Sequence, residues 1–372
     1  MRLLPPLLAG LLTAATLPAL AGPAASPPPP PPPLSPPPPP PDRAPAAAAD
    51  ATATTAPLRP SAIAGDAVFV VHVDLEALRR GVVFVFDSEE IEQAIDTEEE
   101  RQAWRHLRPL LEQTLSVTLY GNRFEDRHTV LLIRTRASVD EFFDAIAAQG
   151  EAPRLVEEGG RTLRVWGTHE GDIFAYADPR PAPGEPRTVV AAQSRREFDA
   201  AVSIIDGRGG SLETAGTALA EIARPRPGAV LFAAITDLEP LRKHERAAVL
   251  RNAERLRVEL GEHAGSAFAE VAVTTPTEDA ARQMADVCRG LIAMGQMLLA
   301  GEPEYAGTRE LLSSLNILTE GRTTTISLAC STDKIVDAVR SAYADRPMSK
   351  KIETEPAHAS PASTPSPENP RR

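Results

Sequence analysis

His72 and Asp74 are the two side chains whose types and spacing best suit chemistry. They stand two residues apart at the end of the apolar run AVFVVHVD, residues 67–74. Residues two apart on a β-strand face the same side, so the imidazole and the carboxylate could act as a general base and its orienting partner. The same spacing also suits a buried histidine followed by an aspartate that caps a helix. The pair is therefore a catalytic hypothesis with a structural alternative.

Motifs of common enzyme and metal sites are missing from the sequence. It contains no phosphate loop, no dinucleotide-binding glycine pattern, no HExxH and no GxSxG. None of its seven histidines stands at metal-ligand spacing from another histidine or a cysteine. The sequence thus predicts no cofactor and no metal site, and it favours a non-catalytic function.

Two cysteines and two methionines in the second half of the chain are further candidate residues. Cys288, on a long predicted helix, and Cys330, at the end of a predicted strand, both occupy apolar-facing positions. An exported protein could join them in a disulfide or keep two buried thiols. Met294 and Met297 follow Cys288 on the same helix. Methionines at such spacing form either part of the core or an adaptable surface for a protein partner.

One stretch of the sequence occurs twice. GDAVFVVHVDLEALRR, residues 65–80, returns as GAVLFAAITDLEPLRK, residues 228–243, and Ile235 takes the position of His72. A hairpin and a helix follow each copy, with turns predicted at Gly121-Asn122 and at Gly261. We therefore expect an α+β fold with two tandem related units, each an antiparallel sheet with helices packed on one face. The two sheets could lie side by side or form a single sheet.

Composition divides the chain into five parts. Residues 1–21 combine one arginine, an apolar run and a small-x-small ending, which is typical of a secretory signal peptide. Residues 22–60 form a proline-rich linker that favours an extended, semi-rigid conformation. Residues 61–224 and 225–346 are the two units. Residues 347–372, rich in proline, serine and charge, form a tail that is predicted to be disordered.

Charge and hydropathy restrict the partners. The formal net charge of −12 argues against nucleic-acid binding, and no segment of the mature chain is long and apolar enough to span a membrane. The stretch with the most membrane-like character, GLIAMGQMLLAG at 290–301, is too short. We expect an exported protein, periplasmic or extracellular, that can bind a protein partner.

The combination resembles secreted hypothetical proteins of planctomycete-type bacteria. The features that carry the resemblance are the signal sequence, the proline-rich spacer and tandem units whose first strand leads into Asp-Leu-Glu. The closing stretch GRTTTISLACSTDKIVDAV, residues 321–339, is similar too. The resemblance covers residues 61–345 and implies the tandem arrangement. The resemblance implies no known activity and identifies no functional residue.

These observations predict a binding or scaffolding module of the periplasm or cell envelope that is not an enzyme. One alternative is an extracytoplasmic hydrolase that uses His72 and Asp74 in an unfamiliar site. Another is an assembly or inhibitor-like partner of a second secreted protein, which would act through the helix that carries Met294 and Met297.

Overall fold

A single antiparallel sheet organises the fold. The computed structural model describes residues 56–81, 98–124, 126–147, 152–168, 171–182, 184–239, 250–301 and 306–332. Within these residues the twelve strands run in the order β11-β12-β10-β9-β8-β1-β2-β3-β7-β6-β5-β4. The strands are β1 (Phe69–Asp74), β2 (Thr114–Gly121), β3 (Thr129–Thr135), β4 (Arg154–Glu158), β5 (Arg161–Thr168), β6 (Gly171–Ala177), β7 (Arg187–Ala192), β8 (Ala229–Ile235), β9 (Arg255–His263), β10 (Ser266–Thr274), β11 (Asn316–Glu320) and β12 (Thr323–Ser331).

Seven α-helices occur in the described residues, and several of them begin at polar caps. The seven helices are α1 (Leu75–Arg80), α2 (Glu98–Gln113), α3 (Val139–Ala147), α4 (Arg195–Ile205), α5 (Ala218–Ile222), α6 (Glu278–Leu298) and α7 (Ala306–Ser313). Asp74, Ser194 and Thr277 each accept a hydrogen bond from a backbone N–H in the first helical turn, as expected for N-cap residues. Within the described part of the chain, no helix has both the length and the apolar character needed to cross a bilayer.

Helices cover both faces of the sheet in the first half of the chain, so the prediction of helices on one face is wrong for the first unit. On β7, Val190 packs with Phe198 of α4 on the first face, whereas its neighbour Val189 packs with Phe142 of α3 on the second face. Successive strand residues point to opposite faces. A strand that is apolar at consecutive positions therefore needs a packed layer on each side.

The centre of the sheet is the antiparallel pair of β1 and β8. Phe69 pairs with Ile235, and His72 pairs with Phe232. This pairing joins the two halves in one continuous sheet rather than two, which resolves an alternative that the sequence leaves open. Outward from the centre, each half has three consecutive strands, β1-β2-β3 or β8-β9-β10. The chain then crosses to the sheet edge at β4 or β11 and returns from there, so that β7 lies beside β3 and β12 lies beside β10.

The two halves differ in their hairpins. Gly121 ends β2, and the turn follows it, close to the predicted position. Gly261 lies inside β9 instead, and the turn that joins β9 to β10 is formed by Ala264 and Gly265, both at positive φ. A Cβ atom at Gly261 would lie 2.3 Å from the carbonyl oxygen of Gly228. This glycine therefore permits a close backbone approach and does not form the predicted turn.

Several predicted features lie outside the described residues. They are the signal peptide (1–21), all of the linker before residue 56, the tail (347–372) and most of the helix predicted to close the second unit after Ser331.

Candidate functional site

His72 and Asp74 share one backbone partner on the first face of the sheet. The Nε2 atom of His72 lies 3.1 Å from the carbonyl oxygen of Ala56. The N–H group of the same Ala56 donates to Oδ2 of Asp74 at 2.8 Å. Two strand residues that face the same way thus hold both polar groups of one residue. We call this arrangement the Ala56 clamp.

The hydrogen bonds of His72 determine its tautomer. A carbonyl oxygen only accepts hydrogen bonds, so Nε2 carries the proton that it donates to Ala56. Nδ1 then accepts a hydrogen bond from the hydroxyl group of Thr118 at 2.8 Å. Burial in the sheet, assisted by the charge of Arg134, lowers the pKa of His72 to about 4, against the opposing hydrogen bond to Ala56. The ring is therefore neutral near neutral pH.

Asp74 has a second bond besides the one to Ala56. Its Oδ1 atom accepts the N–H group of Ala77 at 2.8 Å, which makes it the N-cap of α1. Burial raises the pKa of this carboxyl group, while the backbone N–H groups of Ala77 and Ala56 work in the opposite direction. The structural alternative for Asp74, a helix cap, is therefore observed.

The clamp fixes the segment that enters the fold. Ala56, Leu58 and Ile63 are buried, and the last two belong to the core on the first face. Residues 56–60, which the sequence assigns to the linker, are thus held on the sheet. The composition of this stretch gives no signal for the contact, because the clamp binds the backbone N–H and carbonyl groups of Ala56.

Access to the clamp from solvent is small. His72 is 3% exposed and Asp74 2% exposed, and both ring nitrogens of His72 already have partners. Two polar clefts of about 240 and 380 Å³ lie elsewhere, beside the start of α4, and neither is lined by His72 or Asp74. The larger cleft includes Gly171 and Asp172. In its observed form the clamp can hold a chain segment but offers no place for a substrate.

No metal-binding group of three or more histidine, cysteine or acidic side chains occurs in the ranges that the structure describes.

Cys288 and Cys330 are thiols in the structure, with no disulfide between them. α6 and β12 start at the same end of the sheet, where the hydroxyl of Thr324 donates to the Ala281 carbonyl oxygen at 2.8 Å. From there the strand extends about 20 Å to Cys330, but the helix rises only about 10 Å to Cys288. A disulfide requires Cα atoms within about 7 Å, so the roughly 10 Å difference between these two lengths keeps the cysteines too far apart to bond.

Burial raises the pKa of the Cys288 thiol.

α6 carries the main apolar surface of the described chain. Seven large apolar side chains are at least 42% exposed, and five of them are on this helix. We call this group the α6 flank; its members are Val287, Leu291, Met294, Met297 and Leu298. The two methionines singled out from the sequence are 42% and 70% exposed, whereas Met284 on the same helix is 7% exposed and packs in the core.

The α6 flank is a separate side of the helix. Residues Ala281, Met284, Ala285 and Cys288 form the buried face. At 100° per residue, Val287, Leu291, Met294 and Leu298 lie about 100° around the axis from that face, and Met297 lies about 60° beyond Met294, toward the charged side. Charged residues occupy the other side, where Arg282 pairs with Asp279 and Arg289 with Asp286.

Comparisons with known proteins find distant structural neighbours. Crystal forms III, I and IV of TP0453 match with TM-scores of 0.41, 0.40 and 0.42, at 10%, 11% and 9% identity. The matches cover 77%, 77% and 75% of this chain and 99%, 99% and 95% of those chains. No family model matches the chain, and no curated protein matches it.

The Ala56 clamp predicts unequal effects at the two matching aspartates. Asp74→Ala removes the cap of α1 and leaves the buried N–H group of Ala56 without its acceptor, so we expect a loss of roughly 2–4 kcal/mol in the free energy of unfolding. Asp237→Ala is the matched control, because Asp237 accepts from the Glu239 amide outside any such clamp. Urea unfolding of both variants measures the difference. Equal losses would contradict the clamp.

His72 predicts a pH dependence of stability. Its folded pKa of about 4 lies below the unfolded value of 6.5, so between these values the unfolded chain binds more protons. The free energy of unfolding should therefore fall as the pH drops from 6.5 to 4, by on the order of 3 kcal/mol from this residue. The raised pKa of Asp74 acts in the opposite direction.

The difference between wild type and His72→Gln isolates the histidine's share, because an amide does not titrate while Asp74 and Arg134 remain in both proteins. Urea unfolding at a series of pH values should give a shallower decline for the variant. Parallel curves would show that His72 does not have a depressed pKa.

Proposed function

We propose that this protein is an exported, non-catalytic binding or scaffolding module of the periplasm or cell envelope. The observation that carries the proposal is the α6 flank, a group of large apolar side chains left in contact with solvent. Contiguous apolar patches on otherwise polar surfaces are typical of protein interaction sites. Methionine and leucine at such a surface can adapt to the shape of a partner.

A non-catalytic role is supported by how the strongest catalytic candidates are used. His72 and Asp74 are engaged with Ala56, Thr118 and Ala77. A general base has to reach the proton that it removes, and these bonds occupy the atoms that would do so. The clamp instead holds the segment next to the linker. Export is supported by the signal-like residues 1–21 and by the proline-rich spacer that follows them.

Tandem related units are part of the same proposal. Phe69 matches Phe232 in the repeated stretch, and His72 matches Ile235, with the same shift of 163 residues. In the central ladder Phe69 pairs with Ile235 and His72 with Phe232. The pairing is therefore unchanged when the two strands exchange places, as it is between two copies of one strand that are related by a two-fold axis. This register supports a duplicated unit whose copies join through their first strands.

Cross-linking inside cells tests the proposed function. The chain has four lysines, Lys243, Lys334, Lys350 and Lys351, and none of them falls within residues 278–298, so the reagent should couple carboxylates. Asp279 and Asp286 on α6 have side chains that are 81% and 75% exposed. We expect mass spectrometry to find one dominant protein linked to peptides that contain residues 278–298.

Two variants make this test specific. Met294→Glu should abolish the dominant link without unfolding the protein, because a carboxylate is costly only where it is buried on binding. Ala293→Glu adds the same charge at an exposed position on the charged side of α6 and should leave the link unchanged. Links scattered over unrelated neighbours, with no difference between these variants, would contradict a binding function for the flank.

A further inference from the structure

We infer that the α6 flank pairs with the α6 flank of a second copy of this chain, with the two helices antiparallel. The inference rests on the proposed function and names the partner of the same surface. It follows from four features of α6: the spacing of its exposed side chains, the placement of its charges, an open glycine and the size of the apolar surface.

The spacing of the exposed side chains is the same in both directions. Val287, Leu291, Met294 and Leu298 are separated by four, three and four residues, which is the spacing of a coiled-coil seam. An identical helix that runs the opposite way presents the same series. Leu291 of each copy then lies opposite Met294 of the other, and Val287 opposite Leu298, so all four side chains find apolar partners.

The charges of α6 leave this seam neutral. Residues 290–301 contain no charged residue, although 24% of the whole chain is charged. The two arginines nearest the N-terminus of the seam are paired within their own helix, Arg282 with Asp279 and Arg289 with Asp286. Two copies that each carry a formal charge of −12 can therefore meet here without burying an unpaired charge. A neutral seam also gives a differently charged partner nothing to recognise.

Gly290 leaves room for a second helix. A Cβ atom at this position would meet no atom of the protein, so the internal packing does not require glycine there. Glycine inside a helix costs about 1 kcal/mol relative to alanine. The other glycine of the segment, Gly295, lies against Leu312 of α7, whose Cδ1 atom would be 3.4 Å from a Cβ. α7 therefore packs on a different side from Gly290.

The area of the flank predicts a reversible dimer. Five side chains that are each roughly half exposed form a patch of a few hundred Å² per copy. Stable interfaces bury about 800 Å² per partner, and smaller ones belong to transient complexes. We therefore expect self-association in the micromolar range rather than a permanent dimer.

Sedimentation velocity of the full purified chain tests the inference. Over a concentration series of roughly 1 to 100 µM, the wild-type protein should shift from monomer to dimer by mass action. Met294→Glu should remain monomeric throughout, because two carboxylates would enter the seam. Ala293→Glu, on the charged side of α6, should behave as the wild type. Urea unfolding of each variant checks that it is folded.

Cysteine pairs test the antiparallel direction. With Cys288→Ala and Cys330→Ser as the background, a mixture of Leu291→Cys and Met294→Cys proteins should form a disulfide-linked heterodimer under mild oxidation. Neither variant alone should do so at a comparable rate, because identical positions are offset along the axis. Rapid cross-linking of one variant with itself would overturn the antiparallel arrangement.

The outcomes separate the inference from the proposed function. A protein that stays monomeric over the whole series, but cross-links in cells to a different protein through residues 278–298, overturns self-pairing and keeps the binding function. A monomer with no dominant cross-link overturns both. A dimer that Met294→Glu does not weaken shows that the copies meet elsewhere and overturns the inference.

Discussion

The antiparallel ladder between β1 and β8 is the contact on which the rest of the structure depends. It joins the first and second halves of the chain and places Val70, Phe232 and Ala234 at the centre, all fully buried. Neighbouring residues of β1, Phe69 and Val70, belong to cores on opposite faces. Since both faces at the centre are apolar, each needs a covering layer. The layers of helices follow from this requirement.

His72 is the polar exception in that ladder. A buried imidazole without partners would be destabilising, and here both nitrogens are satisfied, one by Thr118 and one by the backbone of Ala56. The matching position in β8 is Ile235, which needs no such partner. The histidine therefore joins Ala56 to β1, and the matching position of β8 has no such role. The two halves contribute one strand each to the central ladder. Only the strand of the first half uses a buried side chain, that of His72, to bind Ala56.

α6 shows how a helix can serve the core and remain available for binding. Its first half is held by the cap at Thr277 and by Met284 and Cys288 in the core. The later turns keep Met294 and Met297 in contact with solvent. Removing apolar surface from water stabilises any contact that covers it, by about 25 cal/mol per Å² before the costs of association. α6 therefore presents an apolar surface, and covering that surface with a partner lowers the free energy.

Sequence patterns predicted the local features well and the long-range ones in part. The cap at Asp74 follows from short-range chemistry, and the structure has it. Gly261 carries a turn-like signal, but its role depends on the backbone of Gly228, 33 positions away in the chain. The clamp on Ala56 was not predictable, because a backbone acceptor leaves no mark in residue types.

Exposure on α6 is a second property that residue types alone do not decide. Met284 and Met294 are the same residue on the same helix, and only their angle to the sheet separates core from surface. The pattern was compatible with both readings. The number of faces covered by helices likewise depends on packing across the sheet, as Val189 and Val190 illustrate.

Methionine oxidation in intact cells is the most direct measurement of whether the α6 flank is covered where the protein works. Peroxide converts accessible methionine to its sulfoxide, which mass spectrometry locates by residue. Met294 and Met297 should oxidise more slowly in cells than in dilute purified protein, while Met284, buried in both cases, should stay slow throughout. Equal rates for Met294 and Met297 in the two settings would contradict a binding function for this surface.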